Sequence, residues 1–224
     1  GGADSSAIAS LCALSIQYAT QELGWDGLKQ KLNYIPLTQQ EQVMADLLTT
    51  IYQGTVNSSQ NTRDSAQQLA EWIGSTHYVI EIDGIVKGYR DLVEKAINRP
   101  LTWAQDDITL QNVQARVRAP SAWMLANIKN ALLLATSNRS EASVGYATMD
   151  GDTSGSISPI SGIDKSFIRT WLLWLEKQGF KGLHLVNSLE PSAELRPLTE
   201  KQVDEEDLMP YPILNTIERL AFYD

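Results

Sequence analysis

The chain has 224 residues, a net charge of −9 and 43% hydrophobic residues, values that fit one domain over residues 1–224 and exclude wholesale disorder. The negative charge argues against broad nucleic-acid binding, although local cations and helix N-termini can still hold phosphates. No apolar run reaches the about 18 residues of a membrane span, no secretory leader is apparent, and Cys12 is the single cysteine, so we expect a cytoplasmic protein without membrane contact.

The first predicted element is a helix that follows the opening Gly1-Gly2 pair. Asp4 or Ser5 can cap its start, and Gly24 is expected to close it. Further along, Thr38-Gln39-Gln40-Glu41 matches a capping box in front of a short connecting helix. The chain therefore opens with glycines that lead directly into a helix.

Apolar runs of strand length then alternate with segments of helical period. The predicted strands cover 45–53, 77–82, 131–136 and 183–186. The predicted helices cover 62–73, 84–98, 106–129 with a break at Pro120, and 165–178 with its end at Gly179. Such alternation favours a three-layer α/β fold, mostly a parallel sheet with helices on both faces. Because a glycine-rich phosphate loop normally follows a strand, we expect the first strand of the sheet upstream of Gly1.

The opening segment has the composition of a phosphate-binding loop. Gly1 and Gly2 let the backbone approach an anion closely, and Ser5 supplies a hydroxyl donor at a helix N-terminus. Asp4 would repel phosphate unless a cation such as Mg²⁺ lies between them. The alternative is a capped helix start behind a flexible tail. The Walker ending Lys-Ser/Thr is absent, which argues against that class.

A second polar cluster follows the predicted strand over 131–136. Ligands of open α/β sheets bind at the carboxyl ends of strands, where Thr136 stands here. Glu141 is a second acidic candidate for a phosphate-bound Mg²⁺, and Lys165 opens the next helix and could reach a phosphate. Upstream, Asn112 and Arg116 share a helix face. A solvated basic face is the alternative for that helix.

These segments together resemble the NAD synthetases, and in particular the synthetase domain of the glutamine-dependent form. The opening loop GGADSS is shared by several ATP-pyrophosphatase families, whereas ATSNRSEASVGYATMDGDTSG over 135–155 and SPISGIDK over 158–165 are far more specific. The other matching segments are YQGTVNSSQNTRDSA at 52–66, DDITLQNVQARVRAP at 106–120, EPSAELRP at 190–197 and DEEDLMPY at 204–211. The likeness covers nearly the whole chain in the expected order.

The resemblance implies an adenine-nucleotide alpha-hydrolase-like fold and ATP-dependent amidation of deamido-NAD by ammonia, through an adenylate, with release of AMP and pyrophosphate. Asp4 and Lys165 would be catalytic, and Asp4 and Glu141 would hold Mg²⁺. A region around Asn57, Ser58 and Thr62 would lie beside the ATP. The resemblance further implies ATP contacts at Gly1, Gly2, Asp4, Ser5, Thr136, Lys165 and Ser192, and deamido-NAD contacts at Asn112, Arg116, Arg118 and Asp152.

The resemblance also implies a homodimer and, in the full-length form, an N-terminal glutaminase domain that supplies ammonia. The serine that usually precedes the two glycines is absent, which puts the activity of the chain by itself in doubt. Two alternatives stay open: another ATP-pyrophosphatase, such as a GMP synthetase or a tRNA-modifying enzyme, and a domain that binds adenine nucleotide without catalysis.

Several conspicuous residues favour structural roles. Cys12 lies in an apolar helix, and neither His77 nor His184 has a second ligand at metal spacing. Trp171, Trp174 and Leu175 follow Phe167 at helical spacing, which predicts a core stripe. The acidic run 204–207 is typical of a solvated helix start, although its place in the family pattern keeps a functional role open.

Overall fold

A computed structural model describes residues 1–190, 192–197, 199 and 202–222 of the chain. Its secondary structure is mostly helical, with two strands and two short 3₁₀ turns in the described part. In chain order the elements are α1 Ala3–Lys31, a 3₁₀ turn Gln40–Gln42, α2 Val43–Leu47, β1 Thr49–Gly54, α3 Gln60–Ile73, β2 Thr76–Glu81, α4 Asp83–Ile97, α5 Trp103–Arg116, α6 Arg118–Lys129, α7 Arg139–Val144, α8 Lys165–Lys177, a 3₁₀ turn Lys181–Leu183, α9 His184–Ser188, α10 Asp204–Asp207 and α11 Tyr211–Phe222.

The sheet is parallel, which confirms the predicted α/β class. β1 and β2 pair from Thr49 with Thr76 to Gly54 with Glu81, and α3 forms the crossover between them. Two parallel strands need such a connection, since a short hairpin joins only antiparallel strands. Both carboxyl ends therefore lie at one edge of the sheet, next to the start of α3.

The core lies between α1, α3 and α8. Ala7 and Ile8 of α1, Leu69 of α3, and Ile168 and Leu172 of α8 belong to one buried cluster. Each fully buried aliphatic side chain of this kind stabilises the fold by about 1.5–3 kcal/mol. The predicted stripe on α8 needs one correction. Its buried members are Ile168, Leu172 and Leu175, while Phe167 and Trp174 are more than half exposed because they fall on the other side of the helix.

The start of α1 differs from the predicted cap. Gly2 is the N-cap residue and the helix begins at Ala3, so Asp4 and Ser5 lie within the first turn. Gly24 has φ 68° and ψ 172°, where the chain changes direction before a further helical segment reaches Lys31. The predicted end is therefore a kink. In the described part of the chain no helix is long and apolar enough to cross a membrane.

Two other helix predictions also need correction. The segment after Thr38 does become helical, but its N-cap residues make no side-chain cap hydrogen bond, so the capping box does not form. The long helix predicted over 106–129 breaks at Val117 instead of Pro120. Pro120 lies in the first turn of α6, where its missing N–H removes no intrahelical hydrogen bond.

Three predicted strands were wrong in extent or type. Residues 131–136 form only an isolated parallel bridge between Leu134 and Ile157, and Leu132 is 66% exposed. An apolar run becomes a strand only where a neighbouring strand accepts its backbone hydrogen bonds. The segment 183–186 is helical, as its buried Leu183 and Val186 already indicate by their spacing of three. The first half of the 45–53 prediction is helical too, since α2 ends at Leu47.

Candidate active site

A cleft of about 310 Å³ lies where α1 begins, next to β1 and α8. Six residues with predicted roles line it: Gly1, Gly2, Asp4, Arg118, Lys165 and Ser192. Ser58 and Thr62, from the start of α3, line it as well, so the cleft lies at the carboxyl edge of the sheet. Parallel α/β sheets bind ligands at this edge.

The two glycines serve different purposes. A Cβ atom on Gly1 would lie 1.9 Å from the carbonyl oxygen of Thr62, so the backbone of Gly1 packs directly against α3. The carbonyl of Gly1 also accepts a hydrogen bond from the Ser65 hydroxyl at 2.8 Å. A Cβ atom on Gly2 would meet nothing within 4 Å. Gly1 therefore secures the loop to the fold, and Gly2 leaves the cleft open to a ligand.

These positions lead to a matched pair of predictions. We expect Gly1→Ala to lower the free energy of unfolding by about 1–3 kcal/mol, because the added methyl group overpacks against α3. Gly2→Ala should cost less than about 1 kcal/mol, as a weaker N-cap. It should instead weaken ATP binding by about tenfold, because its methyl group enters the cleft. Chemical denaturation and calorimetric titration measure the two effects, and equal losses of stability in both variants would contradict this assignment.

Lys165 lies between two carboxylates at the base of the cleft. Its Nζ donates to Asp4 Oδ2 and, at 3.1 Å, to Glu141 Oε1. The Lys165 side chain is only 4% exposed. The sequence predicted that Asp4, Glu141 and Lys165 share one site, and the fold brings the three charged groups together from α1, α7 and α8.

Asn138 connects two members of this group. It is the N-cap of α7 and forms a capping box with Glu141, and its Nδ2 donates to Asp4 Oδ1 at 2.9 Å. A buried amide with fixed partners orients both carboxylates. The sequence analysis did not single out Asn138, although the N-x-x-E spacing of Asn138 and Glu141 is the sign of a capping box.

The charges of this group are strongly perturbed. Burial and the neighbouring Asp4 raise the pKa of Glu141 to about 7, against the opposing effect of Lys165. Burial lowers the pKa of the Lys165 ammonium, but the carboxylates of Asp4, Glu141 and Asp204 outweigh it and raise that pKa well above its ordinary value. The site therefore carries more negative charge than its one buried lysine can balance.

The carboxylate oxygens of Asp4 and Glu141 suit a divalent cation whose remaining ligands come from a bound phosphate and from water. Asp4 and Glu141 are oxygen donors that already share one cation, the Lys165 ammonium. Among the described residues no group of three or more His, Cys, Asp or Glu is arranged to hold a metal ion. Mg²⁺ commonly takes one or two protein carboxylates and completes its shell with phosphate oxygens and water.

Arg118 adds a second positive charge to the lining of the cleft, close to Gly1. Its Nε lies 3.4 Å from the carbonyl oxygen of Gln53, and burial lowers the pKa of its guanidinium. The resemblance grouped Arg118 with Asn112 and Arg116, yet it lines the cleft together with Gly1. Arg118 is the first residue of α6 and the other two belong to α5, which explains the separation.

Asn112, Arg116 and Asp152 meet around the loop that follows α7. The Thr148 hydroxyl lies 3.3 Å from Asn112 Oδ1, and Arg116 Nε donates to the carbonyl of Met149 at 3.0 Å. Asp152 Oδ1 accepts from the backbone N–H of Thr148 at 2.8 Å. The three residues predicted for the second substrate therefore share one loop beside the cleft.

Two predicted ATP contacts lie away from the lining of the cleft. Ser5 is exposed, and its hydroxyl donates back to the Gly2 carbonyl at 3.2 Å. Thr136 donates its backbone N–H to the Asp152 carbonyl at 3.3 Å, and its side chain is not part of the described cleft wall. Their roles in ATP binding stay predictions.

A strap over residues 192–197 closes the cleft on one side, and the sequence analysis missed its anchor. Glu194 Oε1 accepts from the Ser59 hydroxyl at 2.7 Å, and Oε2 accepts from the Thr62 hydroxyl at 2.8 Å. Arg196 forms two hydrogen bonds with Asp107 on α5. Only the EPSAELRP pattern marked this segment, because an isolated glutamate carries no local signal of its partner.

Comparisons with known proteins point to one family. Residues 1–223 match the family model described as NAD synthase. Over 98% of its length the chain is 34% identical to the glutamine-dependent NAD(+) synthetase of Rattus norvegicus and 32% identical to that of Dictyostelium discoideum. It spans about a third of those relatives, 34% and 35% of their lengths. The crystal structure of a glutamine-dependent NAD(+) synthetase from Cytophaga hutchinsonii superimposes with a TM-score of 0.87 at 48% identity, over 99% of this chain and 37% of that one.

Proposed function

Because this chain belongs to the NAD synthase family, we propose that its cleft catalyses the ATP-dependent amidation of deamido-NAD to NAD. A carboxylate oxygen of the nicotinate group attacks the α-phosphorus of ATP, and the bond to the leaving pyrophosphate breaks. Ammonia then attacks the acyl carbon of the adenylate, AMP leaves, and a proton is lost to give the amide. The reaction class is therefore that of a carbon–nitrogen ligase.

The observation that carries the proposal is that Lys165 donates hydrogen bonds to both Asp4 and Glu141, while Lys165 and Asp4 line the same cleft as Gly1 and Gly2. Simple nucleotide binding needs cations and helix N-termini, but it does not need two partly buried carboxylates around one buried lysine. Cleavage between the α- and β-phosphates does benefit from such a set, because fixed cations stabilise the charge that develops on the phosphates.

We assign the phosphates of ATP to the loop of Gly1 and Gly2 and the N-terminus of α1, whose backbone N–H groups face the cleft. Lys165 and Arg118, which both line the cleft, would contact the phosphates. The proposed Mg²⁺ would be held by Asp4 and Glu141, and it would neutralise phosphate charge during the reaction. Ser192 lines the cleft beside these groups and stays a candidate for a further ATP contact.

We assign deamido-NAD to the face formed by Asn112, Arg116 and Asp152. The proposal is supported by the loop over 148–152, which these three side chains bind directly. A loop that closes over the reacting groups would also keep water from the adenylate. Arg118 lines the cleft and is also affected by the charge of Asp152, so it would contact one of the two substrates.

The experiment that tests the function supplies ATP, Mg²⁺, ammonium and deamido-NAD to the purified protein and measures AMP, pyrophosphate and NAD. We expect the three products in equal amounts and their loss when a chelator removes the metal. AMP formation without deamido-NAD, or the absence of NAD with all substrates present, would overturn the proposal. Xanthosine monophosphate in place of deamido-NAD tests the GMP synthetase alternative.

Ammonia is the nitrogen donor in this proposal. The relatives in the comparison are named glutamine-dependent, so we propose that glutamine supplies the ammonia through a glutaminase domain in the full-length form. The chain matched here covers only about a third of those proteins. Ammonium salts bypass that supply and therefore test the synthetase chemistry by itself.

We further propose that two copies of the chain associate through α4. Ile85, Tyr89, Leu92, Val93 and Ile97 fall on one face of this helix, and each is between 45% and 68% exposed. None of the residues of α4 is buried. An apolar stripe of this length is expected to be covered, and the resemblance to dimeric enzymes favours a second copy of the chain.

We expect Leu92→Glu to convert the dimer to a monomer, because the charge would be buried in the apolar contact. Analytical ultracentrifugation measures the mass of both forms. Lys95→Glu, which adds an acid to an exposed position of α4 outside the stripe, is the matched control and should remain dimeric. A wild-type monomer at the concentrations of the enzyme assay would contradict the proposed dimer.

A further inference from the structure

Asp204 is a buried acid in the cleft to which the proposed function gives no role. It opens α10 and lines the same cleft as Asp4 and Lys165, yet it is only 5% exposed. Its Oδ2 accepts a hydrogen bond from the Tyr211 hydroxyl at 3.1 Å. Its Oδ1 has no hydrogen-bond partner in the described part of the chain. A buried polar oxygen without a partner is rare and calls for a physical reason.

Lys165 is the cation whose charge acts on the Asp204 carboxylate. Asp204 is one of three carboxylates whose charge raises the pKa of the Lys165 ammonium, after Asp4 and Glu141. Tyr211, which binds Asp204, places its ring 6.0 Å from Lys165 Nζ. Asp204 and Tyr211 therefore form one wall around the ammonium, while Asp4 and Glu141, which accept its hydrogen bonds, form the other.

Three carboxylates act on one ammonium: Asp204 is buried, whereas the side chains of Asp4 and Glu141 are 17% and 12% exposed. A magnesium ion bound to Asp4 and Glu141 would stand where Lys165 now donates its hydrogen bonds. Two cations cannot share that position, because their repulsion is strong at such a short separation. Lys165 must then leave Asp4 and Glu141 and find another anion within reach of its flexible side chain.

We propose that Asp204 is a positioning residue for Lys165, and that its unpaired Oδ1 receives the ammonium when a divalent cation occupies Asp4 and Glu141. This inference rests on the proposed function. Asp204 would not touch the substrates. It would keep Lys165 inside the cleft and directed at the phosphates, and it would lower the free energy of the state that binds the metal.

Removal of Asp204 should change the affinity for the magnesium nucleotide in the direction opposite to that expected from a simple charge effect. If Asp204 were only a negative charge near the phosphates, its removal would tighten the binding of a polyphosphate. If Asp204 receives Lys165, its removal makes the displacement of Lys165 unfavourable and weakens the binding of the magnesium nucleotide. The direction of the change therefore distinguishes the two roles.

The test is calorimetric titration of Asp204→Asn with the Mg²⁺ complex of α,β-methylene-ATP, which cannot be cleaved between its α- and β-phosphates. We expect the Kd to rise three- to tenfold. Glu206→Gln, an exposed acid of the same helix, is the matched control and should leave the Kd unchanged. A Kd that falls or stays the same in Asp204→Asn would overturn the proposal.

Two further variants separate the charge of Asp204 from its hydrogen bond. Tyr211→Phe removes the donor to Oδ2 but keeps the carboxylate, so we expect a Kd within twofold of the wild type. A rise equal to that of Asp204→Asn would mean that the hydrogen bond matters, and would overturn the inference. In a Lys165→Met background, Asp204→Asn should no longer weaken binding, because the residue acts through Lys165. A weakening that persists in that background would count against the proposal.

Activity provides the second measurement. In Asp204→Asn we expect kcat to fall by about tenfold with the KM for deamido-NAD unchanged, since only the position of Lys165 changes. A loss of stability alone would reduce the active fraction and leave the Kd of the folded protein unchanged. If the wild type forms no NAD, the proposed function fails, whereas normal activity with unchanged binding in Asp204→Asn refutes only this inference.

Discussion

Lys165→Met is expected to reduce NAD formation by about 10²–10³-fold, the usual cost of removing one preorganised charge from a reacting centre. Methionine keeps the length and packing of the side chain but removes the ammonium that donates to Asp4 and Glu141. Because Lys165 is almost fully buried, the same change leaves two carboxylates without their cation, which should cost about 3–5 kcal/mol of stability. Steady-state kinetics and chemical denaturation measure the two losses.

Addition of Mg²⁺ separates the loss of stability in Lys165→Met from its loss of activity. If Asp4 and Glu141 bind the metal, Mg²⁺ should raise the unfolding temperature of Lys165→Met more than that of the wild type, since the ion no longer competes with the lysine. Turnover should stay low, because the phosphates still lack their cation. Lys177→Met, an exposed lysine of the same helix, should change neither quantity. Full activity of Lys165→Met would remove Lys165 from the reaction.

Much of this architecture follows from local patterns in the sequence. α3 begins behind Ser59, whose hydroxyl caps it, and ends at Gly74 with φ 73°, where a left-handed conformation favours glycine. α8 begins behind Asp164 in the same way, which places Lys165 at its first position. Caps and periodicity therefore fix the start of the helices that carry Lys165 and Thr62.

Local sequence patterns did not predict which strands pair or which distant residues come into contact. The segment 131–136 is as apolar as a buried strand, but in the described part of the chain only Leu134 finds a bridge partner. Glu194 lies 135 residues from Ser59, and no spacing rule relates them. Likewise, nothing in the run 204–207 distinguishes the buried Asp204 from the exposed Glu206 until the fold brings the Tyr211 hydroxyl of α11 to Asp204.

The candidate site combines both kinds of information. The spacing of Asn138 and Glu141 encodes a capping box, which is local, yet the same Asn138 orients Asp4 from 134 residues away. A residue with a structural task at a helix start can thus also arrange charges between elements. This explains why the family pattern, more than periodicity, marked residues that the fold brings together around Lys165.

Glu141→Gln is expected to lower adenylation by about 10²-fold or more while the fold is retained. Glutamine at the third helical position can still complete the capping box with Asn138, so α7 keeps its N-terminal hydrogen bonds. What the variant loses is one negative charge, and with it a proposed ligand of Mg²⁺. Burial and Asp4 raise the pKa of Glu141 to about 7, so the ionised carboxylate is unfavourable in the free protein and its removal should not reduce stability.

The dependence of activity on Mg²⁺ separates metal binding from a general effect of charge. If Glu141 holds the ion, the Mg²⁺ concentration that gives half-maximal activity should rise at least tenfold in Glu141→Gln, because one of two protein ligands is lost. Glu206→Gln should keep the wild-type value. Lys165 would remain bound to Asp4 in the variant, so binding of nucleotide without metal should be nearly unchanged. Turnover equal to the wild type at low Mg²⁺ would show that Glu141 is only the capping partner of Asn138, and the metal site would then have to be built on other carboxylates of the cleft.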